Sequence, residues 1–493
     1  MPQSPAPRPA PSSWLRATAR ETVGGLPSTF WWLWTSTLVN RLGGFVVTFL
    51  ALYLTVDRGL SPAFAGLVAS LYGLGGSVAA VAGGVLADRI GRRPTLLAAQ
   101  SSTAAATLVL GLVHPAWAIA VTATVLGFTS NASRPAVSAI MADLVPSEDR
   151  VRAFSLNYWA INIGFAFSAA MAGLIAAHGY LLLFIGDSAT TLLCALVVFA
   201  RVPETRPEAR SGTAPAEGTG KAAGTGKAAG SGKAAGAGKA SGSGKASGAA
   251  PAEGSGIAVA GAPRAQPGIG SVLRDPVFMA LVGLTFLLAC ISNQGGIALP
   301  ITMGHDGYSA ADYGLVVSLN GVLIVLLQIP VTRFAEGRNR TTMLTVAALL
   351  TGCGFGLTAF AGAAWFYALT VTVWTAGEML GVPANSALVA ELSPVHARGR
   401  YQGVYSLAWS GAAFLAPMTA GYLLTVSGGD AVWLSCTVLG VLAAAGYALL
   451  LRGRIPTASK TPPEVASEAA AEAASAAPGA IKKNPGATLG TPS

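Results

Sequence analysis

Four ionisable side chains lie inside stretches of sequence that are otherwise uncharged: Arg41, Arg134, Asp187 and Glu378. A charge at the centre of such a stretch costs about 2.5–3.5 kcal/mol when the stretch inserts into a membrane, and such residues are functional by default. A carboxylate that changes partners between two conformations can bind a proton in one and release it in the other. Glu378 is the best candidate for this role, with a permanent pair to an arginine as the competing interpretation. Asp187 fits a hydrogen bond between helices better.

A second group of charges is concentrated in "GGVLADRIGRRP", residues 83–94, between two uncharged runs. A glycine on a helix permits close approach of another helix, and a glycine in a loop permits a tight turn. An acid at a helix end can face the positive N-terminus of a neighbouring helix or pair with an arginine. The segment is therefore either an orientation signal in a solvated loop or a latch between helices. Its candidate residues are Gly84, Asp88, Arg89, Gly91, Arg92 and Arg93.

The elements that must position these residues are membrane-spanning helices. Only 11% of the 493 residues are charged, against about 25% in average soluble proteins, and the mean hydropathy is +0.57. Uncharged runs of about 20 residues are long enough to cross the bilayer as helices, and lipid offers no partner to an open backbone. The sequence therefore predicts an all-α, multi-pass membrane protein. Its twelve candidate spans are 29–56, 62–87, 94–113, 116–143, 151–177, 180–201, 277–302, 310–332, 341–361, 364–391, 399–425 and 430–451.

Positive charges are distributed unevenly between the predicted loops. Of the 31 Lys and Arg residues, Arg41 and Arg134 lie within spans and Arg58 lies in one set of loops, while the other 28 lie in the alternate set and the termini. Loops rich in Lys and Arg stay on the cytoplasmic side. We therefore expect both termini and the segment 83–94 to be cytoplasmic, in a protein of the plasma membrane.

Several classes of function lack their sequence signatures. The net charge of +10 would suggest nucleic-acid binding in a soluble protein, but here the charges follow the predicted topology. The four cysteines all lie in apolar runs without a CxxC pair, which is typical of packing residues. The sequence has no phosphate-binding Gly-Lys-Ser/Thr loop and no His/Cys cluster. Neither an enzyme activity nor a cofactor, metal or nucleic-acid partner is therefore expected.

A long polar interruption divides the spans into two sets. It contains "GKAAGTGKAAGSGKAAGAGKASGSGKASG", a six-residue repeat whose glycine, alanine, serine and lysine cannot form a core. We expect a flexible cytoplasmic linker here, and its lysines could also hold it to anionic lipid. The expected organisation is a cytoplasmic N-terminal segment (1–28), a six-helix bundle (29–201), the linker (202–276), a second six-helix bundle (277–451) and a disordered cytoplasmic tail (452–493).

The two sets of spans are copies of one another. At one constant offset, "RPAVSAIMADLVPSEDR" (134–150) aligns with "VPANSALVAELSPVHAR" (382–398), and "GLSPAFAGLV" (59–68) aligns with "GYSAADYGLV" (307–316). The same offset places Asp88 on Glu336. Because each half has an even number of helices, both halves enter and leave on the same side of the membrane. They are therefore parallel repeats related by an axis along the membrane normal.

Together these features resemble the major facilitator superfamily of transporters, over about 29–201 and 277–451. The segment "GGVLADRIGRRP" matches the family's signature between helices two and three, and the degraded second copy, "TRFAEGRNR", keeps Glu336 and Arg340. The resemblance implies that Asp88 contacts helix eleven near Arg400 and latches the cytoplasmic side closed. It also implies that helices one, four, seven and ten line a central cavity. The candidates for substrate binding or proton coupling are then Arg41, Arg134, Glu378 and Asn40.

The resemblance implies a secondary transporter that moves a small molecule by alternating access, with the proton gradient as its energy source. An apolar, aromatic cavity favours a hydrophobic or amphipathic substrate, and thus efflux of the drug/proton antiporter type. The expected lining includes Trp31, Trp34, Phe45, Phe49, Tyr53, Trp374 and Trp409. Helix five keeps the small residues of the family's antiporter motif but lacks its proline. Proton-coupled uptake of a nutrient or peptide therefore stays open, and so does a non-transporting membrane sensor. The expected partners are the substrate, protons and the lipid bilayer, around a monomer.

Overall fold

The computed structural model describes residues 24–205, 269–335, 337–394 and 397–451, and these residues form helices and short connections without any strand. Most of the N-terminal segment (1–23), nearly all of the linker, Glu336 and the C-terminal tail lie outside the described residues. The expectations of a flexible linker, a disordered tail and a role for Glu336 therefore stay predictions. Within the described ranges, the all-helical prediction is confirmed.

Twelve long helical segments follow one another in the described residues, in two sets of six. A five-residue helix, Ile269–Leu273, precedes the second set. Their bounds are α1 Ser28–Asp57, α2 Pro62–Arg89, α3 Arg92–Leu112, α4 Ala116–Leu144, α5 Arg150–Ala176, α6 Leu181–Arg201, α7 Pro276–His305, α8 Ala310–Ala335, α9 Arg340–Phe360, α10 Ala364–Leu392, α11 Arg398–Val426 and α12 Gly429–Leu451.

Ten of these segments are long and apolar enough to cross a membrane. The two that are not among the ten are α4 and α10, which have 29 residues each and contain Arg134 and Glu378. A multi-pass membrane protein is thus confirmed, whereas the number of twelve crossings stays a prediction. Neither α4 nor α10 contains a stretch as apolar as those of the other ten segments. Because α4 and α10 are the fourth helices of the two repeats, the repeats share this lower hydropathy.

Local sequence signals explain where several helices begin. Ser61 accepts a hydrogen bond from the Phe64 backbone N–H and precedes Pro62 at the first position of α2. Asp275 accepts from two backbone N–H groups at the start of α7, again just before a proline. A side-chain oxygen at the N-cap satisfies donors that the helix cannot, and proline needs no donor at the first position. The predicted starts of these helices are accordingly close to the observed ones.

The first helix is not continuous, contrary to the single span predicted over 29–56. It consists of Ser28–Leu42 and Phe45–Leu52, followed by a π-helical turn at Tyr53–Asp57. The break falls at the pair Gly43–Gly44, and the freed backbone N–H of Val46 donates to Asp187 Oδ2 at 3.2 Å. Asp187 thus makes the hydrogen bond between helices that the sequence favours for it. α7 is interrupted at nearly the equivalent position of the second repeat, by the 3-10 turn Asn293–Gly296.

Small residues bring the two halves into close contact at the ends of the helices away from the arginine-rich loops. Between the halves, the most extensive contacts join α2 with α11 and α5 with α8. A Cβ on Gly66 of α2 would overlap the Pro417 carbonyl of α11, and one on Gly314 of α8 would overlap the Ala169 carbonyl of α5. Small residues permit such close approach of helix backbones. This close packing of α5 against α8 accounts for the spacing of small residues on helix five, so antiport is not needed to explain that spacing.

The halves are separated at the arginine-rich end. A Cβ on Gly84, near the end of α2, would meet nothing within 4 Å. A cavity of about 1,110 Å³ opens between α5 and α8 there, beside Phe154, Trp159 and Ile329. If the arginine-rich loops are cytoplasmic, the structure is open to the cytoplasm and closed to the outside.

We expect Gly66→Val to weaken the closed contact between α2 and α11. The added side chain would overlap Pro417 and lie about 3.0 Å from the Gly421 Cα, and such overpacking costs about 1–3 kcal/mol. Thermal unfolding of the purified protein and thiol labelling of a cysteine at Ser427 would report the loss as a lower melting temperature and faster labelling. Gly283→Val is the matched control, because a Cβ there meets open space. Equal behaviour of the two variants would contradict this prediction.

Candidate functional site

A cavity of about 740 Å³ lies between the two halves. Its walls come from both repeats, chiefly from α2 and α4 of the first half and from the broken part of α7 and α11 of the second. Asn293 and Gly296 of the α7 break line it directly. The breaks and small residues therefore position the cavity, because an interrupted helix exposes backbone and polar side chains to it. Other lining residues are Tyr72, Gly73, Asn131, Arg134, Ser138 and Trp409.

The predicted aromatic lining is wrong for most of its members. Phe49, Tyr53 and Trp374 are buried in helix packing, at 1%, 2% and 7% exposure. Trp374 stacks on Phe355 with ring centroids 4.9 Å apart. Only Trp409 of the predicted set lines the cavity of about 740 Å³. The sequence fails here because an apolar helix shows no clear polar face, so its pattern does not reveal which side meets lipid, core or cavity.

A second, more polar pocket of about 350 Å³ lies within the first half. It brings together Asn40, Arg41 and Arg134, and it shares Arg134 and Ser138 with the larger cavity. Asn40 donates to Thr191 Oγ1 at 3.3 Å, and Thr191 donates to Asp187 Oδ1 at 3.4 Å. Asn40 is therefore linked to the network that holds the α1 break. A Cβ on Gly164 of α5 would overlap Arg41, so this glycine allows α5 to pack closely beside it.

Glu378 lies in a different place, a pocket of about 230 Å³ in the second half. Its Oε2 accepts a hydrogen bond from Asn320 Nδ2 of α8 at 3.3 Å, and Ser292, at the end of the first part of α7, lines the same pocket. Among the described residues, no arginine pairs with it. The structure thus brings Arg41 and Arg134 together but does not bring Glu378 to them.

The arginines of the segment 83–94 hold the first half together at its arginine-rich end. Arg92 Nε pairs with Asp143 Oδ2 of α4 at 2.8 Å. In the second half, Arg340 of α9 pairs with Glu391 of α10. These two pairs occupy equivalent positions of the repeat. The presence of Arg340 in the degraded second copy therefore has a structural explanation: its ion pair joins the start of α9 to the end of α10.

Glu204, which the sequence did not single out, binds the start of α3. Its two carboxylate oxygens accept from the backbone N–H groups of Arg92 and Arg93 at 3.0 and 3.1 Å. An anion at a helix N-terminus satisfies free donors and complements the helix dipole. Arg93 in turn donates to the Phe199 carbonyl at 2.6 Å. The position of Glu204, three residues after the end of α6, was visible in the sequence. The linear pattern does not show that its partner is the start of α3.

We expect Gly91→Ala to destabilise this end of the protein by about 1–3 kcal/mol, because a side chain is strained at its backbone conformation. Gly91 has φ +117, and a Cβ would lie 2.7 Å from Glu204 Oε2. Gly179→Ala is a matched control with φ +127 and open space around it. Melting temperatures should fall for both variants and fall further for Gly91→Ala. An equal fall would show that Glu204 yields without cost.

Asp88 and Arg89 differ from the other charges of the segment. Both are exposed, and the described part of the chain contains no hydrogen bond or ion pair to either. The predicted contact of Asp88 with helix eleven is therefore not made in this conformation. Gly84 likewise faces open space. An exposed Asp88 and open space at Gly84 are what we expect of a latch that forms only when this end of the molecule is closed.

The comparisons agree with the fold and its repeat. A family profile described as Major Facilitator Superfamily matches residues 33–374 and 282–490. The chain is 26% identical over 414 residues to the uncharacterized MFS-type transporter YttB of Bacillus subtilis (strain 168), covering 83% of this chain and 91% of the relative. It is 22% identical to a Na(+), Li(+), K(+)/H(+) antiporter of Planococcus maritimus, covering 76% and 84%.

A solved structure shows the same fold. The crystal structure of a POT family transporter in complex with 5-aminolevulinic acid superposes with a TM-score of 0.65 at 14% identity, and the match covers 87% of this chain and 96% of that one. The two six-helix repeats around a cavity, the segment 83–94 and the matched family profile lead to one conclusion. The chain belongs to the major facilitator superfamily and is a membrane transporter rather than an enzyme.

Proposed function

We propose that this protein exports a small amphipathic molecule by alternating access, in exchange for protons. The observation that carries the proposal is the cavity between two repeats that touch at one end and are separated at the other. A cavity open to one side can release or load its ligand only there. Transport then requires the opposite arrangement, in which the arginine-rich ends close and the contacts at Gly66 and Gly314 open.

The gate at the arginine-rich end is built from two kinds of charge. Arg92 and Arg93 are engaged within their own half, so they can move with it as one body. Asp88 is exposed and available to a partner on the other half. We assign closure of the cytoplasmic side to Asp88, with Gly84 providing the room for α2 to approach α11. In this proposal, the segment 83–94 contains both a clamp within one half and an exposed acid that acts between the halves.

Glu378 is the proposed proton carrier. Its hydrogen-bond partner Asn320 and its neighbour Ser292, which lines the same pocket, are both neutral. A serine hydroxyl can donate to a carboxylate or accept from a carboxylic acid. The site can therefore hold the side chain in either protonation state. An arginine partner would instead favour the ionised form alone, so the absence of such a pair among the described residues supports a carrier rather than a permanent ion pair.

Transport in vesicles tests the proposed function. Everted membrane vesicles with the protein should accumulate a fluorescent amphipathic compound when a proton gradient is imposed, and vesicles without the protein should not. Accumulation in right-side-out vesicles would instead indicate proton-coupled uptake of a nutrient or peptide. Binding without flux in either orientation would indicate a sensor. We place both termini in the cytoplasm, because the arginine-rich loops then follow the positive-inside rule. We further propose that the protein acts as a monomer in the plasma membrane.

A further inference from the structure

The polar pocket of about 350 Å³ in the first half contains two guanidinium groups and no carboxylate among its lining residues. We propose that it binds the anionic group of the transported molecule, so that the substrate is an organic anion such as a carboxylate or phosphate ester with an apolar body. This inference rests on the proposed transport function and adds the chemical class of the substrate. The sequence predicts an apolar, aromatic cavity, whereas this pocket contains Arg41 and Arg134. Their positive charges would attract an anion and repel a cationic compound.

The two arginines lack the partners that would neutralise them. Arg41 and Arg134 are close enough for their positive charges to repel. Neither forms an ion pair with any described residue, and the buried Nε of Arg41 has no hydrogen-bond partner. A buried donor without a partner costs free energy, and an arginine presents its donors in a planar fork that suits carboxylate and phosphate. An anion between the two would satisfy both.

Asp187 is the acid that acts on Arg41, and it does not replace such a ligand. It attracts Arg41 at a distance, but its two carboxylate oxygens accept hydrogen bonds from the Val46 backbone and from Thr191. Those bonds hold the break in α1. Even with Asp187 counted, the two arginines leave the pocket with an excess of positive charge.

Other groups of the pocket are also incompletely satisfied. Gln100 Oε1 and Asn157 Oδ1 are buried, and each lacks a hydrogen-bond partner among the described residues. Both residues line the pocket. A buried amide oxygen with a free position can accept a hydrogen bond from a polar ligand or from water. A substrate with a hydroxyl or N–H group beside its anionic group would donate such a bond.

The surrounding cavities fit the rest of such a molecule. Arg134 and Ser138 line both the polar pocket and the cavity of about 740 Å³. An anionic group at Arg41 and Arg134 therefore leaves the body of the ligand facing Tyr72 and Trp409. The opening between α5 and α8 carries Arg150, Arg152 and Arg333. Positive charge at an opening raises the local concentration of anions.

Matched probes test the proposal. The purified protein should bind 1-naphthoate, measured by quenching of tryptophan fluorescence or by a shift in melting temperature, and should bind 1-naphthylmethylamine and 1-naphthalenemethanol far less. Arg41→Gln and Arg134→Gln should each weaken naphthoate binding about tenfold to hundredfold, because each removes a charged hydrogen bond. Arg41→Lys and Arg134→Lys keep the charge but lose the fork, so we expect them to retain part of the binding.

Arg201→Gln is the control variant, because Arg201 stacks over Trp32 at 4.7 Å and lines neither the polar pocket nor the cavity of about 740 Å³. It should bind naphthoate like the unmodified protein. Failure of naphthoate to bind, equal binding of the three probes, or unchanged binding by the folded glutamine variants would overturn the anion site. Flux of naphthoate into proteoliposomes is measured separately. Binding that depends on both arginines but occurs without flux would preserve the anion site and defeat the transport proposal.

Discussion

Replacement of Glu378 by glutamine is expected to abolish proton-driven accumulation of substrate, down to the level of vesicles without the protein. Glutamine keeps the size of the side chain and an oxygen that can accept, so the hydrogen bond from Asn320 can persist. It cannot take up or release a proton. Downhill exchange of substrate should therefore continue, because it needs only the movement of the two halves.

The measurement compares uphill accumulation and downhill exchange in the same proteoliposomes. Asp430→Asn is the control, since Asp430 is an exposed acid at the start of α12 and lines neither the cavity nor the pockets that contain Arg41, Arg134 and Glu378. This control should retain the dependence on the proton gradient. A Glu378→Gln protein that still accumulates substrate against its gradient would remove Glu378 from the coupling mechanism.

Asp88→Asn is expected to slow transport by trapping the protein in the conformation seen here. Asp88 makes no bond to any described residue in this conformation. The substitution therefore leaves the free energy of this conformation unchanged. If Asp88 forms a charged hydrogen bond only when the arginine-rich end closes, that bond contributes about 1.5–3 kcal/mol to the conformation closed at that end alone. Its loss shifts the equilibrium between the two conformations about 10–100-fold.

Cysteine accessibility on the two faces, read beside flux, would show this shift. Labelling at the arginine-rich mouth should increase and labelling at the opposite ends of α2 and α11, where Gly66 meets Gly421, should decrease, while ligand binding survives. Asp149→Asn is the matched control, because Asp149 is another acid of the arginine-rich end and pairs locally with Arg152 at 3.2 Å. Normal flux in Asp88→Asn would reduce the segment 83–94 to an orientation signal and a clamp.

The two repeats contain equivalent ion pairs, and only one partner of each pair could be anticipated from the sequence. The offset that aligns 134–150 with 382–398 also relates the ion pair of Arg92 and Asp143 to that of Arg340 and Glu391. Both acids stood in the alignment, but their partners were not predicted. An ion pair between two helices depends on which faces the helices turn towards each other, and periodicity does not reveal this in a helix that is apolar on every side.

The sequence by itself determined the membrane class, the extent of the helices, the parallel repeat and the segment 83–94. Each of these depends on runs of apolar residues, on caps and breakers, or on repeated spacing, which are properties of neighbouring residues. The tertiary structure alone decided which charges meet. It broke α1 at Gly43, satisfied the freed backbone with Asp187, and buried aromatic rings that had been assigned to the cavity. It also placed Arg41 beside Arg134 and paired Glu378 with Asn320 rather than with an arginine, because contacts between distant segments follow from packing of whole helices rather than from local pattern.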